Sequence, residues 1–593
     1  MKYCAKTIFR WAANLRKFVV IGCLLCSSSL LAQQYLTTFG NPLNIPWQFS
    51  SSFAELRANA FHGGVDFRTQ QREGLPIFAV ADGTLTRVVV SATGFGKALY
   101  LSHADGIMSV YAHLSRFIPE IERVVREQHY AQESFELNLT NFQSLQRIHF
   151  RKGDLIGWSG NTGNSFGPHL HFELRNQNGT NTLHPGRFGF VVNDDIPPTI
   201  STFAVYPTGF TTHGQLSLVN GRQTPLHFPV ACRGTNCSIN PDTIRVSGLF
   251  AFGIQATDRA HASGILGLYT KRVFLDDELK FAWRLDEMPF SHMRFINAFI
   301  DFAHFDSTGQ RIQWTHVLPG NRLNIYEKIH NRGVFQFLEN GIHNLRVEAA
   351  DFAGNTSVLN VVLSVDDQME PIEPIISTEF ERGRLFSHMV SNTFQDEGIR
   401  VVIPQMALYE PIRFEYRVET PTDSQIFSNI HHVHRSGTPI HTNYTLSIRP
   451  VGLPQNLESK ALIARWDTRN NEWVAEGGRF DNGFVTHNVR RFGTFAVLLD
   501  TVAPEIRPVN VRNNIIPATQ NVITFRITDD FSGIGTYRAT INGRWFLMEF
   551  DAKSDTLRGT LEHTDLPRGE HDFELIVTDR RNNRTTYQAR IIR

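Results

Sequence analysis

Short apolar runs separated by glycine turns dominate the first part of the chain. From about Gln33 to Phe190, apolar residues alternate with polar ones or form brief runs, as in FAVADGTLTRVVVSA and KALYLSHADGIMSVYAHL. Alternation with a period of two is typical of strands buried on one face. The pairs Asp82-Gly83 and Asp105-Gly106 are typical of tight hairpin turns. We therefore predict antiparallel β structure in this part of the chain.

One segment departs from the strand pattern. IPEIERVVREQ begins at Ile118, and its apolar residues at positions 118, 121, 124 and 125 have the spacing of one helix face. A helix is therefore predicted between strands at this point.

The C-terminal part of the chain contains an internal repeat. The matched pairs are DDIPPTI (from Asp194) with DTVAPEI (from Asp500), ATDRAHASGILGLY with ITDDFSGIGTY, and LENGIHNLRVEAADFAGNTS with LPRGEHDFELIVTDRRNNRTT. Repetition of this kind means that one supersecondary plan is used twice. Strands at intervals of about 8–12 residues, divided by turn residues, indicate β-sandwich units of Ig-like type.

These patterns predict the domain organisation and a mainly β fold class. A chain of 593 residues is too long for one domain, since domains contain about 150 residues. We expect an N-terminal antiparallel-β domain at 33–193, followed by three β-sandwich-type (Ig-like) domains at 194–366, 367–499 and 500–593. The unit at 367–499 lacks the repeat signature and is predicted only as a separate β-domain.

The first 32 residues have the layout of a secretory signal peptide. MKYCAKTIFRWAANLRK is basic and contains no acidic residue, and the apolar stretch FVVIGCLLCSSSLLA follows it. Cleavage after Ala32 would release a mature chain that begins at Gln33. The apolar stretch is shorter than the roughly 20 residues of a membrane-spanning helix, although an uncleaved anchor remains an alternative. We expect an exported protein of the periplasm or cell envelope, without a transmembrane span in the mature chain.

Cysteine usage agrees with export. Of five cysteines, only Cys232 and Cys237 lie outside the predicted signal, in CRGTNC. Two cysteines around a short glycine-containing loop in an exported protein indicate a local disulfide. The alternative is a metal-binding pair, but no second Cys or His pair with matching spacing lies close by in sequence.

Charge and composition exclude some functions. The chain has 58 basic and 57 acidic residues and a net charge of +1, so nothing favours nucleic acid as a partner. No dense run of His, Asp and Glu occurs in the C-terminal units. The nearest is HHVHR, from His431 to Arg435, which lacks a carboxylate at ligand spacing.

Two histidine-containing stretches in the first domain could bind a metal. In GPHLHFEL, His169 and His171 point to the same face of a strand, with Cα atoms roughly 6–7 Å apart. FHGGVDF adds His62 and Asp66. Zinc binds imidazole and carboxylate, and a catalytic zinc keeps three protein ligands plus water. A strand histidine alone often only fills a half-exposed face, but the joint occurrence favours a metal site; the spacing leaves open which histidine of the HLH pair is the ligand.

The same stretches carry a family resemblance. With His113 in YAHLS, the motifs FHGGVDF and GPHLHFE make residues from about Phe53 to Glu173 resemble the lysostaphin-like (LytM-type) zinc metallopeptidases, which cut peptidoglycan peptides. The stretch SSFAELRANAFHGG before the first ligand resembles a subgroup found in Bacteroidetes-like bacteria. The resemblance implies that Zn²⁺ is the cofactor. It also implies the roles of five residues: His62, Asp66 and His171 as metal ligands, and His113 and His169 as the catalytic pair.

The chain also departs from that family. The connection between Ser115 and Lys152 is longer than usual, so we expect an insert near 116–150 that walls the cleft and affects substrate preference. Arg57 or Asn59 lines the groove, or Arg57 merely pairs on the surface. Glu173 lies on the strand face of the histidines and is a candidate hydrogen-bond partner for a ligand.

The resemblance predicts an exported zinc-dependent metalloendopeptidase that hydrolyses peptide cross-links of peptidoglycan. Two alternatives are a non-catalytic envelope regulator that activates other wall hydrolases, and an adhesion or scaffold protein dominated by its β-domains. The intact set of five site residues argues against the regulator. The C-terminal β-domains are expected to position the enzyme or to bind an envelope protein partner, and a fragment that ends near Asn193 is expected to fold alone.

Overall fold

The structure is a computed structural model that describes residues 39–208, 216–261, 264–337, 339–372, 383–564 and 566–593. The predicted signal peptide lies outside these residues. Strands predominate throughout, which confirms the mainly β fold class. Within the described ranges, no helix is long and apolar enough to cross a membrane.

The N-terminal domain is built on one large antiparallel sheet. Strands β1 to β14 are, in chain order, Phe49–Ser51, Leu56–Arg57, Ala60–Phe61, Val65–Arg68, Pro76–Phe78, Gly83–Val90, Lys97–His103, Ile107–Leu114, Arg116–Phe117, Leu137–Thr140, His149–Phe150, Leu155–Trp158, His169–Asn176 and Asn181–Leu183. The main sheet has the order β1-β4-β13-β8-β7-β6-β10, and β5, β12 and β9 form a smaller sheet. The antiparallel β structure predicted from the apolar alternation is confirmed.

Strand β13 lies between β4 and β8 in this sheet, and its two faces differ. Leu170, Phe172 and Leu174 are fully buried on the core face, where Phe172 packs against Tyr111 with ring centroids 5.4 Å apart. Burial of a large apolar side chain contributes about 1.5–3 kcal/mol to folding, so this alternation fixes which face turns inward. The alternate residues, which begin with His169, are thereby presented together on the opposite face.

The insert near 116–150 contains two helices, α1 (Pro119–Gln132) and α2 (Gln143–Gln146), and strand β10. Helix α1 starts with Pro119 in its first turn and buries Ile121, Val124 and Val125, so the predicted helix is confirmed. The expectation that the insert walls the cleft is wrong. The helix instead packs against the last domain, where Tyr130 meets Trp545 with ring centroids 5.2 Å apart.

The unit predicted to begin after Asn193 shares its buried core with the first domain. Strands β15 to β28 are Thr199–Pro207, Leu218–Val219, Leu226–Arg233, Asn236–Ile239, Thr243–Ser247, Leu249–Thr257, Thr270–Leu275, Glu278–Arg284, Glu287–Pro289, Gln313–Trp314, Tyr326–Ile329, Phe335–Gln336, Gly341–Ala350 and Thr356–Val365; helices α3 and α4 are Ile296–Phe299 and Phe302–Thr308. Cys232 and Cys237 are disulfide-bonded across the β17–β18 hairpin, as predicted.

Several contacts cross the boundary predicted at Asn193. Strand β14 pairs with β23 across it, and the ring of His184 stacks on Phe352 with centroids 4.2 Å apart. The backbone N–H of Gly264 donates to the carbonyl of Phe49 at 2.8 Å. Apolar residues on both sides form one continuous buried cluster. A fragment cut at Asn193 would therefore lose a strand partner and expose apolar surface.

Two further units complete the chain. Strands β29 to β40 are Arg384–Phe386, Asn392–Asp396, Ile399–Ile403, Ile412–Phe414, Tyr416–Glu419, Ile430–Val433, Tyr444–Ile448, Ala461–Asp467, Glu472–Gly477, Arg479–Asp481, Phe484–Val489 and Gly493–Leu499. Strands β41 to β49 are Glu505–Pro508, Ile515–Ile516, Val522–Thr528, Ile534–Ile541, Arg544–Phe546, Glu549–Asp551, Thr556–Thr560, Glu570–Asp579 and Arg584–Ile592. Each unit has its own buried core between two sheets. The domain bounds and the Ig-like type stay predictions.

Candidate metal centre and active site

Three adjacent strands place the predicted site residues side by side. In the antiparallel register, His171 on β13 lies opposite Asp66 on β4 and opposite Ala112 on β8. His113 is the next residue on β8, and His62 directly follows β3 (Ala60–Phe61). Antiparallel partners lie about 5 Å apart, so this register brings together residues that are more than a hundred positions apart in sequence.

Three donor atoms converge on one point. Nε2 of His62 lies 3.1 Å from Oδ1 of Asp66 and 3.0 Å from Nδ1 of His171, and Nδ1 of His171 lies 2.8 Å from the same Asp66 oxygen. All three residues are buried. Ligands at about 2.0–2.1 Å from a tetrahedral zinc ion are about 3.3 Å from each other, so the observed separations are close to those of one shared ion. His62, Asp66 and His171 therefore fit a metal.

Hydrogen bonds select the nitrogen that each histidine presents. Nδ1–H of His62 donates to the carbonyl of Ser52 at 2.7 Å, which leaves Nε2 as the free nitrogen. Nε2–H of His171 donates to Glu173 at 2.9 Å, which leaves Nδ1. Histidine ligands in metal sites usually donate their second N–H to a carbonyl or a carboxylate in this way. Glu173, a candidate partner from the sequence, therefore contacts the third member of the donor set.

The electrostatic environment favours a cation at the same point. Burial alone would lower the pKa of His171, but its hydrogen bonds to Asp66 and Glu173 outweigh burial and raise the pKa to about 9. Burial would raise the pKa of Asp66, yet His62 and His171 hold it well below its usual value. Two carboxylates that face one imidazole attract positive charge, which a proton or a metal ion supplies.

His113 and His169 form a second pair beside the donor set. Their ring centroids are 4.7 Å apart, and Nε2 of His169 lies 3.7 Å from Oδ1 of Asp66. Nδ1–H of His113 donates to the carbonyl of Thr162, and Nδ1–H of His169 donates to that of Gly167, each at 2.8 Å. These bonds leave Nε2 of each ring available for other contacts.

Burial keeps this pair neutral near pH 7. The pKa of His113 is lowered to about 3 by burial and then by the charges of His171 and His169, and burial also lowers the pKa of His169. The backbone of His113 has φ of 60°, a left-handed conformation that side chains larger than glycine seldom adopt. Such conformations concentrate at functional sites.

An open cleft gives access to the site. It has a volume of about 830 Å³ and is lined by Asp66, His113 and His169 together with Arg57, Arg68 and Arg311. None of the described residues of the 116–150 insert lines it.

Arg57 and Asn59, the two groove candidates, have different surroundings. Nη2 of Arg57 donates to Oδ2 of Asp66 at 2.8 Å while its side chain remains 44% exposed, so Arg57 both pairs and lines the cleft. Asn59 instead accepts a hydrogen bond from Asn297 and does not line this cleft. Arg311 belongs to the second unit, and no sequence motif marks it.

The last domain contacts the loop that holds His113. Nζ of Lys553 donates to the carbonyls of Asn161 and Gly163, on either side of Thr162, whose own carbonyl accepts from His113. Lys97, on β7, pairs with Glu549 at 3.1 Å. Lys553 thus ties the last domain to the loop that contacts His113, and Lys97 ties it to strand β7.

Comparison with known proteins identifies two regions of the chain. Residues 60–134 match peptidase family M23, and residues 383–500 match the Zu5-like domain. The first match contains His62, Asp66 and His113. The second overlaps the unit predicted at 367–499.

Two curated relatives align with about a fifth of the chain. An uncharacterized metalloprotease of Haemophilus influenzae is 35% identical over 113 residues, 19% of this chain and 18% of its own length. The DD-carboxypeptidase/endopeptidase Mpg of Neisseria meningitidis is 34% identical over 114 residues, 19% of this chain and 20% of its own length. The chain therefore spans only about a fifth of the length of each.

A solved structure aligns with the same region. The catalytic domain of the prophage-encoded M23 protein EnpA of Enterococcus faecalis is 24% identical, with 26% of this chain and 98% of that chain covered and a TM-score of 0.19. The resemblance inferred from the motifs is confirmed by the family match and the curated relatives. The chain carries a domain of peptidase family M23, of the LytM or lysostaphin-like type.

Proposed function

We propose that this protein is an exported zinc endopeptidase that hydrolyses peptide cross-links of peptidoglycan. The observation that carries the proposal is the convergence of His62 Nε2, Asp66 Oδ1 and His171 Nδ1 next to two buried neutral imidazoles in an open cleft. The substrate class rests on the M23 domain and on relatives whose names include DD-carboxypeptidase and endopeptidase.

In this proposal the five site residues divide into two groups. His62, Asp66 and His171 hold the zinc ion, and their hydrogen bonds to Ser52, Arg57 and Glu173 keep the donor atoms in place. When bound, zinc supplies a Lewis acid that polarises a peptide carbonyl and makes water more acidic.

His113 and His169 handle protons and charge. Both rings are neutral and present Nε2, so either can accept a proton from the attacking water and later return it to the leaving amine. The ring that has taken up this proton carries Nε2–H, which can donate a hydrogen bond to the oxygen that gains charge before the proton passes to the leaving amine. The bonds to Thr162 and Gly167 fix both tautomers, because a carbonyl accepts only from N–H.

Arginines set the charge of the cleft. Arg57, Arg68 and Arg311 line it beside the site and outnumber the two lining carboxylates, Glu55 and Asp66, so it suits a peptide that carries carboxylates. Peptidoglycan peptides meet this requirement. Arg311 comes from the unit after the peptidase domain, so the second unit takes part in substrate contact in this proposal.

Five alanine substitutions test the roles. Replacement of His62, Asp66 or His171 is expected to remove both zinc and activity. Replacement of His113 or His169 is expected to retain zinc and to lower peptidoglycan hydrolysis by about 100-fold or more. His149→Ala, at an exposed histidine of the same domain, is the matched control.

The measurements are zinc content by elemental analysis and release of muropeptides from purified peptidoglycan. Loss of zinc in His169→Ala with retention in His171→Ala would overturn the ligand assignment. Full hydrolysis by His62→Ala would overturn the zinc mechanism. A wild-type chain that binds zinc but only stimulates other hydrolases would favour the regulator alternative.

Export is the remaining part of the proposal. It rests on the basic and apolar layout of the first 32 residues and on the disulfide between Cys232 and Cys237. N-terminal sequencing of the envelope form is expected to begin near Gln33. A chain found with its first residues intact in the cytoplasm would contradict export.

A further inference from the structure

The two repeats each bring three aspartates together. The triads are Asp194, Asp258 and Asp351 in the first repeat, and Asp500, Asp529 and Asp579 in the second. In each triad, one carboxylate oxygen from every member lies within 4.8 Å of the others. The three positions correspond between the repeats. Asp194 corresponds to Asp500 at the start of each repeat, Asp258 to Asp529, and Asp351 to Asp579 in the closing hairpin.

The first triad contains a buried oxygen without a partner. Asp258 is only 3% exposed, and its Oδ1 accepts no hydrogen bond. Asp351 is 2% exposed. Buried carboxylates are costly unless they are paired or bind a metal. Within the described ranges, no Lys or Arg side chain forms an ion pair with a member of this triad.

The second triad repeats the feature. Oδ1 of Asp529 is buried and accepts no hydrogen bond, and the hydroxyl of Ser532 nearby also lacks a partner. The backbone N–H of Ser532 donates to Oδ2 of Asp500 at 3.1 Å, which places this residue against the triad. Ser532 is 6% exposed.

An asparagine fixes two members of each triad. Nδ2 of Asn355 donates to Asp351 at 2.8 Å and to the carbonyl of Asp194 at 3.2 Å. Asn583 makes the same two contacts in the second repeat, to Asp579 and to the carbonyl of Asp500. These neutral donors hold the carboxylates in position but do not balance their charge. In the second triad, the guanidinium of Arg581 also interacts with the charges of Asp500 and Asp579.

Burial and uncompensated charge raise the pKa of Asp258 and of Asp529. Burial, followed by the charges of Asp194 and Asp351, raises the pKa of Asp258 to about 7. The pKa of Asp529 is raised as well, by burial first, and Asp500 and Asp579 add to the increase. Both positions would be stabilised by a nearby cation.

Each triad lies at a joint between units. Asp194 and Asp258 line a cavity of about 80 Å³ together with Phe53 and Val65 of the peptidase domain. Asp500 is the last residue of the region that matches the Zu5-like domain. Next to Asp579, Arg581 donates to the carbonyls of Ala461 and Gly478 of that region.

We propose that each aspartate triad binds one calcium ion, which stiffens the joint before each of the two repeated β units. The donor atoms are all oxygens, which suits a hard cation such as Ca²⁺ and disfavours zinc. Calcium–oxygen distances of about 2.3–2.6 Å place opposite ligands up to about 5 Å apart, so carboxylate oxygens that lie within 4.8 Å of one another can share one ion.

Equilibrium dialysis of the purified full chain against radioactive calcium tests the proposal. Calcium is varied up to about 1 mM, the range of extracellular calcium modules. The wild-type chain is expected to bind two calcium ions. Asp258→Asn and Asp529→Asn, which keep the side-chain shape, are each expected to bind one, and the double variant none. Asp242→Asn, at an exposed aspartate of the same unit, is expected to bind two.

Zinc content and the circular dichroism spectrum show whether each variant is folded. Calcium is also expected to raise the melting temperature of the wild-type chain and not that of the double variant, since only a ligand bound to the folded state stabilises it. Binding of fewer than two calcium ions by the wild-type chain, or undiminished binding by the double variant, would overturn the proposal.

Discussion

The variant Glu173→Gln tests whether Glu173 orients the proposed metal ligand His171 without binding the metal itself. Glu173 is 1% exposed, and its two oxygens have different partners: Oε1 accepts from Nε2 of His171 at 2.9 Å, and Oε2 accepts from Arg175 at 2.6 Å. Glutamine has the same shape but offers one oxygen and one NH₂ group. In the variant, either His171 or Arg175 must therefore face the NH₂ group instead of an oxygen.

Either orientation of the glutamine weakens metal binding. If its oxygen faces Arg175, its NH₂ faces Nε2 of His171 and moves the ring proton to Nδ1, the nitrogen proposed to bind zinc. If its oxygen faces His171, the tautomer is kept, but the carboxylate charge is lost and Arg175 meets a donor. Loss of such an outer hydrogen bond typically lowers metal affinity by about 10–100-fold, or about 1.4–2.7 kcal/mol.

Competition with a chromophoric chelator measures the zinc affinity of the folded variant. Glu120→Gln, at an exposed position in the first turn of α1, is the matched control and is expected to bind zinc as the wild-type chain does. Arg175 also lies over the ring of Phe290 at 4.3 Å, which moderates the destabilisation of the variant. Unchanged zinc affinity in folded Glu173→Gln would refute the orienting role of Glu173.

Three further predictions concern the disulfide, the folding of fragments, and the contact between the last domain and the site. Reduction of the mature chain is expected to raise its mass by two hydrogen atoms, one each on Cys232 and Cys237, and free thiols in the envelope form would contradict the disulfide. A fragment that ends near Asn193 is expected to aggregate, because it loses the shared core and the pairing of β14 with β23, whereas a fragment that ends after β28 is expected to stay soluble. Size-exclusion chromatography distinguishes the two. Lys553→Ala is expected to lower hydrolysis several-fold at unchanged zinc content, because the loop that orients His113 loses its hydrogen bonds from Lys553. Lys328→Ala, at an exposed position, is the control and is expected to leave hydrolysis unchanged. A loss of zinc in Lys553→Ala would contradict a role limited to the loop.

The sequence alone determined the local features of the peptidase domain. The period-two alternation in GPHLHFEL predicts that His169 and His171 share a strand face, and the structure places them there because burial of Leu170 and Phe172 fixes the face. The helix from Ile118 was predicted by its apolar spacing for the same reason. Such features depend on residues close together in the chain, whose periodicity records the environment of each face.

Only the tertiary structure decided which distant residues meet. Spacing allowed either histidine of the HLH pair as a ligand, and only the register of β13 against β4 places Nδ1 of His171 within 2.8 Å of Asp66. Arg311 reaches the cleft from another unit, and the insert turns away from the cleft to the last domain.

The aspartate triads show the same limit. No dense acidic run marks them, because their members are separated by tens of residues and converge only when the strands pair. Patterns along a chain report which face of each element is buried, whereas a site also needs the order and register of the elements. Those are set by the packing of the whole sheet and of neighbouring units, which no local pattern specifies.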